Sequence, residues 1–211
     1  MFADRTEAGE KLAQKLKADL PPEVLAKALV LAIPRGGVVV GNKISRTLDL
    51  PFDCLITKKI PAPGNEELAI GAVGEGGEVV WEEKLVGELN IPLNYKQEIV
   101  KKKTDELEQK KKDFRGNKPI PELKDKVVII VDDGIATGAT VKVAIAVIRN
   151  FKPQEVIVAV PVIAADTLEE IKKRADRVIY LEAPEMFFSV GQFYQNFTQT
   201  SDEEVRRLLN K

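Results

Sequence analysis

At 211 residues, with 44% hydrophobic and 31% charged positions, the chain is long enough to bury one sizeable core, and its net charge of −1 gives no overall pull toward nucleic acid. It has no histidine, which excludes Ser-His-Asp and Cys-His triads, H-E-x-x-H zinc sites and an imidazole base, so acid–base work falls to carboxylates, lysines, tyrosines or the substrate. The lone Cys54 allows no internal disulfide, no apolar run reaches membrane-spanning length, and the charged start MFADRTEAGEKLA does not read as a signal peptide, so a reducing, cytoplasmic setting is expected.

Thr6 to Leu20 carries apolar residues at helical spacing and stops at Pro21-Pro22, which predicts a first helix. Ala28 to Ile33, ALVLAI, is apolar without alternation, the pattern of a strand buried on both faces. It runs into Pro34-Arg35-Gly36-Gly37. Two glycines there let backbone N–H groups approach an anion, and Arg35 can pair with phosphate oxygens; the plainer reading is a tight turn into a helix from Val38 to Leu48.

Phe52 to Thr57 is a third apolar run, with Cys54 as a small core residue, and it ends in Lys58-Lys59. Adjacent side chains at a strand end point different ways, so one of the two faces a site, and Lys58 is favoured. Pro61 to about Ala69 holds two prolines and a glycine and reads as a loop, long enough to cover a site as a lid. Gly74 to Gly77, between AIGAV and EVVW, predicts a hairpin, with Trp81 packing at the end of its second strand. Asn94 to Asp113 is a lysine-rich helix with an Asn94 to Gln97 capping pattern, a narrow apolar face and the i,i+4 pairs Glu98–Lys102, Glu106–Lys110 and Glu108–Lys112. Its lysines alternate with acids and no aromatic platform accompanies them, so it is expected to be solvated.

The richest stretch is VVIIVDDGIATGAT, Val127 to Thr140. A fully apolar strand ends in two carboxylates, Asp132 and Asp133, and gives way to a turn of small residues and then to a helix from about Val141 to Asn150. Gly134, Ala136, Gly138 and Ala139 leave backbone N–H groups uncovered, Thr137 and Thr140 add hydroxyls, and the helix N-terminus favours an anion. Acids beside a phosphate cradle suit a sugar phosphate, because a carboxylate accepts hydrogen bonds from vicinal hydroxyls while the turn holds the phosphate. Neither a Walker loop nor a G-x-G-x-x-G occurs. Glu155 to Val160 predicts another strand, Asp166 to Lys173 a helix capped through Asp166 and Glu169, Arg177 to Leu181 a last strand, and Ser201 the cap of a final helix. Alternating strands and helices argue for an α/β fold with a mostly parallel central sheet flanked by helices. The aromatic stretch PEMFFSVGQFYQNF can stack on a flat base, close the core or form a dimer face, and all three remain open.

DDGIATGAT behind an apolar strand resembles the phosphoribosyl pyrophosphate signature of the type I phosphoribosyltransferases. The resemblance implies that Asp132 and Asp133 contact the ribose hydroxyls and that Ala136 to Thr140 wraps the 5-phosphate. PRGG is similar to the family's pyrophosphate loop, and the segment after the third strand to its mobile lid. FADRTEAGEKLA, IPRGGVVV, TKKIPAPGNEELAIGAVGEGG and FYQNFTQTSDEEV extend the likeness over nearly the whole chain, to stand-alone members whose acceptor is poorly known. The base-binding hood of many nucleobase-salvage relatives is not recognisable.

The implied architecture is one domain over residues 1–211, with a lid-like loop near 60–70 and a hairpin plus charged-helix insertion near 71–118. The implied reaction moves the 5-phosphoribosyl group from phosphoribosyl pyrophosphate to a nitrogenous base and releases pyrophosphate. Asp133, Arg35 and Lys58 are the expected catalytic residues. Asp132, Asp133, Gly134, Ala136, Thr137, Gly138, Ala139, Thr140, Arg35, Gly36 and Gly37 are expected to bind substrate. Mg²⁺ is the expected cofactor, held mainly by substrate oxygens with Asp132 as the candidate protein contact. No membrane or nucleic-acid partner is expected, and a homodimer is compatible with the sequence. The alternative is a regulatory protein that senses phosphoribosyl pyrophosphate or a nucleotide on the same fold; an enzyme needs Arg35 and a closing lid aligned on the leaving group, a sensor an effector surface.

Overall fold

The computed structural model describes residues 1–116 and 118–210, at residue 67 the backbone only. In chain order it contains α1 (Arg5–Asp19), the one-turn α2 (Pro22–Leu25), β1 (Ala28–Ala32), α3 (Gly36–Leu48), β2 (Phe52–Cys54), β3 (Thr57–Ala62), β4 (Asn65–Gly74) and β5 (Val79–Trp81). There follow α4 (Glu83–Glu88), α5 (Leu93–Arg115), β6 (Val127–Val131), α6 (Ala139–Asn150), β7 (Glu155–Val162), α7 (Ala165–Lys172), β8 (Arg177–Glu182), a 3-10 turn (Val190–Phe193) and α8 (Asp202–Leu209).

Five strands form a parallel sheet in the order β2-β1-β6-β7-β8, as the unalternating apolar runs predict. Successive side chains of a strand point to opposite faces, so each run feeds two cores at once. Leu29, Leu31, Val128, Ile130, Val156 and Val158 pack against α6 and α7. Val30, Val127, Ile129 and Ile157 pack against Leu12 and Leu16 of α1 and Val40 and Ile44 of α3. At about 1.5–3 kcal/mol for each aliphatic side chain taken out of water, these two layers carry most of the fold's stability.

A second, antiparallel sheet of β3, β4 and β5 lies beside the first. It corrects two expectations. The segment 60–70 is not an irregular loop but a β-hairpin, with Pro63 and Gly64 as its two-residue turn between the paired Ala62 and Asn65 and Gly64 at φ 73°. The prolines and glycine that argued for a loop are absorbed locally: Pro61 sits at a register irregularity, where a missing N–H costs no ladder bond. The run Phe52 to Thr57 is also two strands in two sheets. At the break the backbone is satisfied by side chains, the Arg115 guanidinium donating to the Cys54 carbonyl at 3.0 Å and the Ile56 N–H to Glu75 at 2.8 Å.

The predicted turn at Gly74 to Gly77 connects β4 and β5, and Trp81 packs with Ile60, Ile70 and Val86. The long helix α5 starts at Leu93 behind Pro92, with no side-chain cap, so Asn94 and Gln97 do not form one. None of the three i,i+4 pairs forms: Lys103 and Lys111 bond to Glu106 and Glu108 at a spacing of three residues, and Lys110 reaches α8. One narrow face packs as expected, with Leu107 buried, and Phe114 and Arg115 at the end of the helix are buried with it. The cap expected from Asp166 and Glu169 is likewise absent, α7 beginning at Ala165 with Asp166 in its first turn, where its charge suits the helix dipole. Ser201 caps α8 through the Glu204 N–H as expected. Among the described residues no helix is long and apolar enough to cross a membrane.

Candidate active site

Strands β1 and β6 are neighbours in register, Ala32 opposite Val131, and the chain leaves them in opposite directions across the sheet: β1 toward β2, β6 toward β7. The crevice beyond the carboxyl ends of such a pair is where α/β sheets bind ligands. Both PRGG and DDGIATGAT emerge there. Their backbones nearly touch: a Cβ on Gly37 would lie 2.8 Å from the Val131 carbonyl and 2.9 Å from Asp132 Cα, and one on Gly36 would collide with the Asp133 carboxylate. The two glycines are therefore needed to seat one loop on the other, beyond any role toward an anion. The Pro34–Arg35 peptide bond is cis.

The acid pair is not equivalent. Asp132 is half-buried, and desolvation followed by the adjacent Asp133 charge raises its carboxyl well above the usual aspartate range, opposed by the Asp133 N–H that donates to its Oδ1 at 2.8 Å and by Lys59. Asp133 instead has a cation of its own. Arg5 Nε, at the start of α1, donates to Asp133 Oδ2 at 2.7 Å, with both side chains largely shielded from solvent. Arg5 also donates to the Thr198 carbonyl at 2.8 Å, and its guanidinium lies 3.9 Å from the Phe197 ring centroid. Tyr194 Oη donates to the Asp133 carbonyl at 2.6 Å. The aromatic stretch thus closes the structure around the acid motif, the Tyr194 ring lying between those of Phe2 and Phe197 at centroid distances of 5.4 and 5.0 Å, while Met186 and Phe188 remain exposed. Arg5 escaped the sequence reading because nothing local links a helix-start arginine to a carboxylate 128 residues away.

The bend after Asp133 is open only at its tip, since Gly138 and Ala139, expected to be uncovered, are buried against α7 and the core. Ala136 and Thr137 are exposed, Gly138 takes φ 73°, and α6 begins at Ala139 with no side-chain cap on its first N–H groups. Thr140 lies half-buried in the first turn, and Gly134 packs so closely that a Cβ would come within 2.5 Å of Val190. Thr167 of α7 donates to the Ala136 carbonyl and fixes the bend from below.

Arg35, Lys58 and Lys59 take separate positions. Arg35 and Lys58 line one cleft of about 330 Å³ together with Thr57 and Lys110. Lys59 lines another, of about 520 Å³, with Thr137, Ala139 and Lys142. Alternation along β3 splits the two lysines, so each has a cleft of its own. Lys142 is buried between Glu82 at 2.9 Å and Glu170 at 2.6 Å. Cys54 is buried, and desolvation pushes its thiol pKa up, as befits a core residue. Among the described residues no group of three or more Asp, Glu, Cys or His side chains forms a metal cage, so a divalent ion fits here only if substrate and water supply most of its ligands.

Two curated proteins of Mycobacterium tuberculosis, MT0597 and Rv0571c, each named "Putative phosphoribosyl transferase", are 39% identical to this chain over 212 aligned positions. The alignment takes in 100% of this chain and 47% of theirs, so the chain spans about half the length of the curated relatives it matches. The crystal structure of TT1426 from Thermus thermophilus is 37% identical, with a TM-score of 0.82 over 99% of this chain and 97% of that one. AQ2163 from Aquifex aeolicus, 14% identical with a TM-score of 0.55 over 89% and 78% of the two chains, shares the fold. Residues 5–198, from the arginine on Asp133 to the strand of chain that holds it, match the phosphoribosyl transferase domain, and the chain belongs to that family.

Proposed function

We propose that this chain transfers the 5-phosphoribosyl group of phosphoribosyl pyrophosphate to a nitrogenous base. The observation that supports the reading is the seating of PRGG against the acid pair at the carboxyl ends of β1 and β6, with Arg35 and Lys58 lining one cleft and Lys59 with the uncapped start of α6 lining another.

In this reading the N–H groups from Ala136 to Thr140 and the positive end of α6 hold the 5-phosphate, while Asp132 and Asp133 accept hydrogen bonds from the two ribose hydroxyls. Arg5 fixes the aim of Asp133. The C1–O bond to the diphosphate breaks, its electron pair leaves with the diphosphate, and the lone pair of a base nitrogen forms the new C1–N bond. Arg35, Lys58 and the Gly36 and Gly37 backbone stabilise the charge that grows on the leaving group. A bound Mg²⁺, contacted on the protein side by Asp132, would neutralise part of that charge. In the same reading Asp133 also takes the proton that the base nitrogen sheds. The β3–β4 hairpin is the segment suited to close over the crevice and keep water from the oxocarbenium-like carbon.

The test is incubation with labelled phosphoribosyl pyrophosphate, Mg²⁺ and a panel of nucleobases, with mass-spectrometric detection of nucleotide and pyrophosphate. Product with one base, lost on replacing Asp132 and Asp133 by Ala, is the expected result. Binding of phosphoribosyl pyrophosphate unaffected by those replacements would overturn the assignment.

A further inference from the structure

Helix α5 is an insertion whose sequence reads as solvated, yet one of its faces, marked by Glu106, Lys110 and Phe114, is turned into the cleft beside PRGG and toward α8. Lys110 rests above the buried Phe114 ring, 4.7 Å from its centroid, which holds the ammonium at the cleft wall. Its partner is Asp202, the first residue of α8, at 2.5 Å; the other Asp202 oxygen faces Arg35 at 3.9 Å. Lys58 completes the cationic wall and has only a distant counter-charge, Glu106 at 3.8 Å.

Two polar atoms at this place are shielded from solvent and have no hydrogen-bond partner among the described residues: Asp202 Oδ1 and Thr57 Oγ1. A buried acceptor and a buried hydroxyl left unbonded beside three cations mark a site whose polar capacity is unspent. The charges agree: Arg35, Lys58, Lys103 and Lys110 against Asp202 and Glu106 leave two net positive charges, and three if Asp202 turns away. Lys110 first and then Arg35 hold the Asp202 carboxyl below the usual range, as a carboxylate in the field of both cations must be.

We propose that Lys110 of the inserted helix is a further ligand for the diphosphate group and that Asp202 is the built-in anion which the diphosphate displaces. The inference rests on the phosphoribosyl transfer reading and adds to it two residues from elements outside the PRGG and DDGIATGAT motifs. Asp202 keeps the cationic wall assembled without substrate; an incoming diphosphate offers Lys110 and Arg35 more oxygens and more charge than one carboxylate can.

Calorimetric titration with inorganic pyrophosphate in the presence of Mg²⁺, and separately with ribose 5-phosphate, tests it in the native chain, Lys110→Met and Asp202→Asn. Met keeps the stem over Phe114 and removes only the charge. Loss of one charge-assisted bond weakens pyrophosphate by about tenfold in Lys110→Met, with ribose 5-phosphate unchanged. Asp202→Asn tightens pyrophosphate, because the competing anion is gone. Pyrophosphate affinity indifferent to Lys110→Met, or weakened by Asp202→Asn, overturns the proposal while leaving the sugar-phosphate reading intact if ribose 5-phosphate still binds. If the native chain binds neither ligand, the transfer reading fails and this inference with it.

Discussion

Arg5 and Asp133 stand 128 residues apart and meet in a 2.7 Å ion pair, the arginine held from behind by the Thr198 carbonyl and the Phe197 ring. Both ends of the chain therefore converge on one carboxylate of the acid motif. An arginine presents a planar fork that can bond two acceptors and stack at once, which a lysine cannot. Arg5→Ala is expected to weaken ribose 5-phosphate binding by about tenfold, the worth of one charge-assisted bond. Arg5→Lys should recover only part of the loss. Calorimetry decides it; native affinity in Arg5→Ala would show that Asp133 keeps its aim unaided.

The two loop glycines separate stability from binding. At Gly37 an added methyl meets backbone, the Val131 carbonyl at 2.8 Å and Asp132 Cα at 2.9 Å, and neither can yield without shifting β6. Gly37→Ala should cost about 1–3 kcal/mol of stability, as overpacking does. At Gly36 the methyl meets the Asp133 carboxylate and Arg5 Nε, side-chain atoms that can move but lose their pairing. Gly36→Ala should unfold at nearly the native urea concentration while binding sugar phosphate more weakly. The reverse ranking in urea denaturation would contradict this division.

Two buried cations predict opposite outcomes. Arg115 pairs with Glu75, their side chains 4% and 6% exposed, so removing the arginine leaves the Glu75 carboxylate buried without its cation. Arg115→Met should cost about 3–5 kcal/mol, the penalty for a stranded buried charge. Lys142 is as deeply buried, at 5%, but its partners Glu82 and Glu170 are 36% and 57% exposed and can turn to solvent. Lys142→Met should cost no more than about 1 kcal/mol, since its carboxylates are not stranded. Equal losses in chemical denaturation would refute the distinction.

A pH dependence follows at the foot of the parallel sheet. Burial tends to raise the Asp176 carboxyl, but the hydrogen bonds from Arg149 and the Val156 N–H outweigh it and the net shift is downward. A lowered acid stabilises the folded state above its unfolded value of about 3.9, and that contribution is lost as pH falls through the folded value. With the side chain 42% exposed, screening holds the effect to less than about 1 kcal/mol. The stability gap between the native chain and Asp176→Asn should be present at neutral pH and close in acid; a gap that widens as pH falls would reverse the sign.

Sequence alone determined the parallel sheet and the edge at which its motifs emerge. The runs at β1, β6 and β7 are apolar at every position or nearly so, and a strand with no polar face has to lie between two layers. PRGG and DDGIATGAT directly follow two such strands, so their arrival at the same sheet edge needed only parallel pairing. Tertiary structure decided the rest. The hairpin at 57–74 is held by pairing and by a proline tolerated at an irregular register, although its local composition argues for a loop. The partners of Asp133 and the cleft that Lys110 faces depend on where α1, α5 and α8 come to rest, which no local pattern encodes. Periodicity records which side of an element is buried; which distant charge meets it there is settled only when the layers pack.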